Sequence, residues 1–191
     1  MIQIKDWPFY LYREYLSSEE ADSIFHRAKQ EILWKTEEIK IFGKTYPQPR
    51  LISWIADQGI EYSYSGKKYH PNPWPDFLDD IRRNIHQDFQ IKLNSVLCNF
   101  YRDGNDKMGW HSDNEKELGP EPNIASLSLG VTRDFKIKMK SSGQIETIEL
   151  NHGDLLLMKG KAQENFSHAL PPRKKVREAR INFTFRQILS F

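Results

Sequence analysis

The chain has 191 residues, a mass of 22.6 kDa and 38% hydrophobic residues, which suits one domain with a sizeable hydrophobic core. A formal net charge of +2 is too small to indicate a nucleic-acid partner by itself, so local clusters such as Arg173-Lys174-Lys175 carry more information. The single cysteine, Cys98, excludes an internal disulfide and a multi-cysteine zinc site, and no run of about 18 apolar residues is present to span a membrane.

The first half of the chain predicts two helices separated by a loop-rich segment. Ser17-Ser18-Glu19-Glu20 has the pattern of an N-cap followed by acidic residues, and apolar residues then recur at helical spacing, so we predict a helix over about 18–34. Residues 36–75 contain five Pro and three Gly, which predicts long, partly ordered loops and hairpins, and long loops often carry function. A second helix is predicted over about 75–90.

From residue 91 onward the apolar pattern becomes that of β-strands. The candidate strands are Leu93–Tyr101, Ala125–Leu129, Asp134–Met139, Glu146–Leu150, Asp154–Met158 and Arg180–Gln187. Antiparallel strands in this number favour a double-stranded β-helix, or jelly-roll. We therefore predict a single α+β domain over 1–191. Its parts are an N-terminal helical segment (1–35), a lid segment (36–75), a helix (76–90) and a jelly-roll core (91–191).

The pattern His-x-Asp occurs three times, at His86/Asp88, His111/Asp113 and His152/Asp154. The first pair lies in the second predicted helix, where side chains two residues apart point about 200° apart and cannot share a metal. The third pair flanks Gly153 in a predicted hairpin turn, which favours a role in the turn. His111 and Asp113 instead follow a strand and a short loop, and in an extended chain their side chains lie on the same side.

His168 offers a third ligand, just past the predicted strand 154–158. Two imidazoles and one carboxylate on one face of an octahedron form the facial triad of non-haem Fe(II) oxygenases. The three remaining positions accommodate a bidentate 2-oxo acid and O2. From these residues alone, two unrelated polar histidines near loops are an equally good interpretation.

The last predicted strand presents polar residues at 180, 182, 184 and 186 on one face and apolar residues on the other. Arg180 and Arg186 on an inner face would be costly unless an anion met them, and an arginine fork suits a carboxylate. Asn99 and Tyr101 likewise share a face of their strand and can donate hydrogen bonds to carboxylates. The residues of these two strands therefore predict a site that binds a carboxylate.

Four stretches of the chain, taken together, indicate a family more specifically than the single residues above. They read Asn99-Phe100-Tyr101-Arg102-Asp103-Gly104, Trp110-His111-Ser112-Asp113-Asn114-Glu115, Ala125-Ser126-Leu127-Ser128-Leu129-Gly130 and Arg180-x-Asn182-x-Thr184-Phe185-Arg186. In order and spacing they resemble the AlkB family of nucleic-acid dealkylating dioxygenases, and the likeness runs from about Ile41 to Gln187.

The resemblance implies two sets of site residues. Fe(II) would be held by His111, Asp113 and His168. The co-substrate 2-oxoglutarate would be held by Asn99, Tyr101, Arg180, Asn182 and Arg186. Because six residues of strand separate the Cα atoms of the two arginines by roughly 20 Å, we assign Arg180 to the distal carboxylate and Arg186 to the metal end.

Parts of the lid segment are similar to the nucleotide-recognition lid of the DNA-repair branch of the family. They are Ile41-Phe42-Gly43-Lys44, Pro49-Arg50 and Tyr62-Ser63-Tyr64-Ser65-Gly66. An enzyme that acts on a paired base must flip it into a pocket. We expect Tyr64 to stack on that base opposite His111, with Tyr62 as a hydrogen-bonding neighbour. Core packing is the alternative role for both tyrosines.

Three further residues belong to the expected substrate site. The resemblance assigns Arg50 to substrate binding. Phe42 is expected to fill the gap that the flipped base leaves in the duplex, and an ordinary core or hairpin position is the alternative. The repair branch often has a second Asp where this chain has Asn114. The amide retains an acceptor and adds donors, which leaves the preference between adenine and cytosine lesions open.

The function that the resemblance implies is oxidative dealkylation of N-alkylated DNA bases of the 1-methyladenine and 3-methylcytosine type. It would require Fe(II), 2-oxoglutarate and O2, and would release formaldehyde. An RNA demethylase or a protein hydroxylase on the same fold is the alternative, and a binding module without activity is a further one.

A charged pair interrupts residues 1–6 before any apolar run, so we expect no signal peptide. We expect a soluble intracellular monomer without a membrane partner, cytoplasmic in a bacterium and nuclear in a eukaryote.

Overall fold

The structure, a computed structural model, describes residues 1–41, 44–60, 62–64, 67–69 and 71–189. Its three helices are α1 (Ser18–Glu31), α2 (Asp76–Phe89) and α3 (Ala162–Asn165), and a 3-10 turn covers Lys116–Leu118. The strands of the first half are β1 (Ile2–Gln3), β2 (Phe9–Tyr12), β3 (Lys35–Ile41), β4 (Lys44–Ala56), β5 (Tyr62–Tyr64) and β6 (Lys67–Tyr69). Those of the second half are β7 (Ser95–Tyr101), β8 (Met108–His111), β9 (Ile124–Gly130), β10 (Arg133–Met139), β11 (Ile145–Leu150), β12 (Leu155–Met158), β13 (Phe166–Leu170) and β14 (Arg180–Arg186).

Both predicted helices are present, and the first is shorter than expected. Ser17 caps α1 through a reciprocal pair of hydrogen bonds with Glu20, which satisfies two of the backbone N–H groups that a helix start leaves unpaired. The prediction that α1 extends to Trp34 is wrong. Ile32 is already extended, and the Trp34 indole N–H turns back to the carbonyl of Ala28.

The described strands form a main sheet in the order β1-β2-β12-β9-β14-β7-β4-β3 and a smaller sheet in the order β11-β10-β13-β8. The six strands predicted after residue 91 are all found, with ends that differ by up to two residues. Strands β8 and β13 were not predicted. They are short, and each is held by its neighbours in the smaller sheet. The two facing sheets confirm the predicted jelly-roll class.

The prediction of hairpins over 36–75 is confirmed, but the long loops expected in the first half of this segment are not found among its described residues. There β3 and β4 form a long antiparallel hairpin, with an irregular register near Thr36 and Glu38, and β4 continues along the edge of β7. Because β7 pairs only with residues 51–56 of β4, Pro47 and Pro49 lie in the part of β4 that has β3 as its strand partner, near the irregular register, where proline is tolerated. The hairpin becomes a wall of the site.

The two faces of the main sheet differ in polarity, and the difference positions the site. On β14, Ile181, Phe183 and Phe185 pack in a core cluster with buried residues of α1 and α2. The polar residues of the same strand point the other way, into the space between the sheets. A second apolar cluster contains buried residues of β2, β10, β12 and β13. No helix among the described residues has the length and apolar character needed to cross a membrane.

Candidate active site

The structure brings His111, Asp113 and His168 together. His111 ends β8, His168 lies in the middle of β13, and the two face each other across the paired strands with ring centroids 4.2 Å apart. One potential ligand atom from each of the three residues lies within 4.8 Å of the other two. His168 lies past β12, as expected, and it stands in a further strand, β13, because its segment pairs with β8 and β10. We call these three residues the metal triad.

The protonation states of the metal triad suit a divalent metal. Burial opposes ionisation of Asp113, but the charge of the adjacent Arg186 outweighs it and holds the pKa of the carboxyl below its usual value. Burial lowers the pKa of His168 to about 3, so its imidazole is neutral. The Nδ1 atom of His111 lies 2.9 Å from the carbonyl of Gly109, a contact in which it donates and which leaves Nε2 free to bind a metal.

The other two His-x-Asp pairs have structural contacts, as the sequence indicated. His86 Nδ1 lies 2.8 Å from the carbonyl of Ile91, just beyond α2. His152 Nδ1 accepts the backbone N–H of Gly130 at 2.8 Å. Asp154 accepts hydrogen bonds from the backbone N–H of Asn151 within its turn, and from the backbone N–H of Glu14 and the side chain of Arg13 in a distant part of the chain. Neither pair belongs to the metal-binding group found among the described residues.

An inner cleft runs from the metal triad between the two sheets. All five residues expected to hold 2-oxoglutarate line it: Asn99, Tyr101, Arg180, Asn182 and Arg186. The two arginines occupy opposite ends. Arg186 Nη2 donates to Asp113 Oδ1 at 2.6 Å, while Arg180 pairs in register with Tyr101 at the far end.

Arg180 brings unused hydrogen-bonding capacity into this cleft. It is 2% exposed, and its Nη2 donates to Ser128 Oγ at 3.0 Å. Within the described part of the chain, its Nε and Nη1 have no partner. Burial lowers the pKa of Arg180 to about 10, so it is still cationic at neutral pH. Buried donors on a cation call for an anion, and the end of a dicarboxylate fits.

Another buried arginine, Arg133, organises the loop between β7 and β8, and it was not identified from the sequence. Arg133 is fully buried and donates to the carbonyls of Asp103, Asp106 and Pro171 at 3.2, 3.0 and 2.7 Å. The loop joins the strand that carries Tyr101 to the strand that carries His111. Arg133 therefore helps to fix the position of the inner cleft relative to the metal triad.

An outer pocket of about 300 Å³ meets the inner cleft at the metal triad. Both cavities are lined by Leu97, Met108, His111, Asp113 and Arg186. The remaining wall comes from β4, whose residues Gln48, Arg50, Ile52 and Trp54 face the pocket. Apart from Arg50 these were not singled out from the sequence, although their period-two spacing is the signal of a single strand face.

The residues expected to bind substrate are only partly within the described structure. Arg50 lines the outer pocket and donates from Nε to Asn99 Oδ1 at 2.7 Å, so it links the pocket to the inner cleft. Asn114 is exposed at the pocket rim. Tyr62 and Tyr64 belong to β5, whose backbone pairs with β6. Phe42 lies outside the described residues.

Comparison with known proteins agrees with this geometry. The family model of the 2OG-Fe(II) oxygenase superfamily matches residues 8–186. The chain is 37% identical over 181 residues to the DNA oxidative demethylase ALKBH2 of Mus musculus, covering 89% of this chain and 76% of the relative. The chain belongs to the AlkB family of 2OG-Fe(II) oxygenases. The metal triad fits the Fe(II), and the buried donors of Arg180 fit the 2-oxoglutarate, in the name of that superfamily.

Two further AlkB relatives show how far the likeness extends. The chain is 39% identical over 188 residues to the alpha-ketoglutarate-dependent dioxygenase alkB homolog 3 of Rattus norvegicus, covering 93% of this chain and 63% of the relative. It thus spans somewhat less than two thirds of the length of that relative. A solved structure of OsALKBH1 superposes with a TM-score of 0.71 at 18% identity, covering 97% of this chain and all of the other, which shows the shared fold.

Proposed function

We propose that this AlkB-family protein removes alkyl groups oxidatively from N-alkylated bases in DNA, of the 1-methyladenine and 3-methylcytosine type. The observation that carries the proposal is the position of the metal triad at the junction of two cavities. The inner one has the buried cation for a dicarboxylate. The outer one, about 300 Å³, lies at the lower end of the range for small-ligand pockets, roughly 300–1,000 Å³. The name of the relative ALKBH2, a DNA oxidative demethylase, also supports it.

The residues of the inner cleft bind and orient the co-substrate in this proposal. Arg180 holds the distal carboxylate through its guanidinium, whose Nε and Nη1 have no partner among the described residues, and Tyr101, paired with it in register, lies beside that end of the cleft. Asn182, whose Nδ2 donates to Ser126 Oγ at 2.8 Å and whose Oδ1 accepts from Thr184, is held rigidly against the middle of the co-substrate. At the metal end, Arg186 engages Oδ1 of Asp113 and so leaves Oδ2 for the metal.

Fe(II), 2-oxoglutarate and O2 supply, when bound, the hydroxylation of an N-alkyl carbon, which then leaves as an aldehyde while 2-oxoglutarate becomes succinate and CO2. The protein contributes positions and the exclusion of water. Ile52, Trp54, Leu97 and Met108 give the outer pocket apolar walls against which a base can lie. The alkyl group would then point towards the metal triad.

The lid completes base recognition in this proposal. Tyr64 would stack on the flipped base opposite His111, and an electron-rich ring favours a methylated, cationic base. Tyr62, Arg50 and Asn114 would contact the nucleotide, and Phe42 would take the vacant place in the duplex. These roles are predictions from the sequence, as are the monomeric state and the compartment.

The test is to incubate the protein with Fe(II), 2-oxoglutarate and oligonucleotides that carry one methylated base. The expected result is formaldehyde and succinate in equal amounts, with the oligonucleotide mass falling by one methylene. Matched DNA and RNA strands with the same lesion distinguish the RNA demethylase alternative. Succinate formation without any demethylated oligonucleotide would contradict the proposal, and would direct attention to protein substrates.

A further inference from the structure

Two hydrogen bonds join the segment that carries His111 and Asp113 to the segment that leads to His168. Ser112 Oγ donates to the carbonyl of Phe166 at 2.7 Å. The backbone N–H of Asp113 donates to Oε1 of Gln163, in α3, at 2.9 Å. These contacts tie the two parts of the metal triad together through residues that are not themselves metal ligands.

The orientation of the Gln163 amide is dictated by its surroundings. A backbone N–H can only donate, so Gln163 must present its oxygen to Asp113. Its Nε2 then donates to Met158 Sδ at 3.4 Å, and Met158 lines the inner cleft. Gln163 is 1% exposed, so water cannot take over either contact. A buried amide with both ends engaged and no access to water holds its partner in one position.

The carboxylate of Asp113 needs such an anchor because it is attracted from two sides. Arg186 Nη2 holds Oδ1 at 2.6 Å, while Oδ2 lies 3.7 Å from His168 Nε2 on the side of the metal triad. The side chain has two rotatable bonds between its carboxylate and its backbone. If the backbone shifted, Arg186 could take both oxygens and remove the ligand from the metal.

We propose that Gln163 is a positioning residue for the metal centre. Its Oε1 holds the backbone of Asp113 so that Oδ2 faces the two imidazoles while Oδ1 remains on Arg186. Gln163 acts through Asp113 and does not touch the metal. The inference concerns metal binding in this family site and stands independently of the proposed DNA substrate.

The test compares two substitutions of similar length. Gln163→Met removes the acceptor, whereas Gln163→Glu keeps an acceptor oxygen in either protonation state. Binding of Mn(II) to the metal-free protein is followed by electron paramagnetic resonance, without 2-oxoglutarate or nucleic acid. Loss of a contact that orients a metal ligand typically weakens affinity about 10- to 100-fold, so Gln163→Met should bind Mn(II) at least about tenfold more weakly. Gln163→Glu should retain the wild-type affinity.

A substitution of Lys140, which contacts the same helical turn, serves as a control. It distinguishes loss of the Gln163–Asp113 hydrogen bond from a general loss of stability. Lys140 Nζ donates to the carbonyls of Gln163 and Glu164 from the surface, both at 2.9 Å. Lys140→Met should lower the melting temperature of the metal-free protein and leave Mn(II) affinity unchanged. The visible absorption spectrum of bound Co(II) reports ligand geometry, and it should change only in Gln163→Met.

Several results would overturn the inference. Wild-type Mn(II) affinity and an unchanged Co(II) spectrum in Gln163→Met would show that the hydrogen bond does not position Asp113. An equal loss in Gln163→Met and Gln163→Glu would assign the effect to packing. If Gln163→Met does not fold, Gln163→Asn withdraws the acceptor by one methylene and should show the same loss. A folded Gln163→Asn variant with wild-type affinity for Mn(II) would also contradict the proposal.

Discussion

Replacing Arg180 by Lys should weaken binding of 2-oxoglutarate while keeping the positive charge. Arg180 reaches the inner cleft with two donors that have no partner in the described structure, Nε and Nη1, and with a third held by Ser128. The lysine ammonium is a point donor and cannot reproduce the planar set of guanidinium donors. Losing one charge-assisted hydrogen bond costs about 1.5–3 kcal/mol. At about 1.4 kcal/mol for each factor of ten, the Kd should rise roughly ten- to hundredfold.

The assay is calorimetric titration of the Mn(II)-loaded protein without O2, because binding is then measured without turnover. Pyruvate is the matched ligand, since it has the 2-oxo acid group and lacks the distal carboxylate. Arg180→Lys should weaken 2-oxoglutarate and leave pyruvate unchanged. An unaltered Kd for 2-oxoglutarate, or an equal loss for pyruvate, would refute the assignment of Arg180 to the distal carboxylate.

Three other outcomes are expected. Substituting any residue of the metal triad by Ala should abolish metal binding and turnover, whereas His86→Ala and His152→Ala should keep both. Metal analysis of purified variants checks this, and loss of metal in His152→Ala alone would show that the wrong histidine was chosen. Phe42→Ala should slow repair of a methylated base in double-stranded DNA much more than in single-stranded DNA, while Tyr64→Ala should slow both alike. Equal losses for Phe42→Ala would instead indicate a packing role. Burial raises the pKa of the Cys98 thiol, so it should react with a thiol reagent only after unfolding, and rapid labelling of the native protein would contradict its burial.

Local pattern was sufficient to find the residues whose environment depends on their immediate neighbours in the chain. The alternation of side chains along a strand is a local property, and it places Arg180 and Arg186 on one face whichever strands pair with theirs. The same reasoning separated His111 and Asp113 from the helical pair at His86, because residue spacing on a helix is equally local. The motifs around these residues indicated the family, and the family match over 8–186 confirms it.

Contacts between distant segments decided the rest. His168 becomes a strand residue only because β8 and β10 pair with its segment on either side. Likewise β4 is a continuous strand because β3 and β7 flank it, although its prolines suggested loops. Such pairing depends on which edges meet in three dimensions, and no window along the chain contains that information.

The sequence by itself determined the kinds of chemical group in the site and the faces on which they stand, because a face repeats every two residues along a strand. Only the tertiary structure decided which groups meet. It placed Arg186 on one oxygen of Asp113 and Gln163, 50 residues away in the chain, on its backbone N–H. Hydrogen bonds of this kind form where the folded chain leaves a buried donor facing a buried acceptor, and burial is a property of the whole fold.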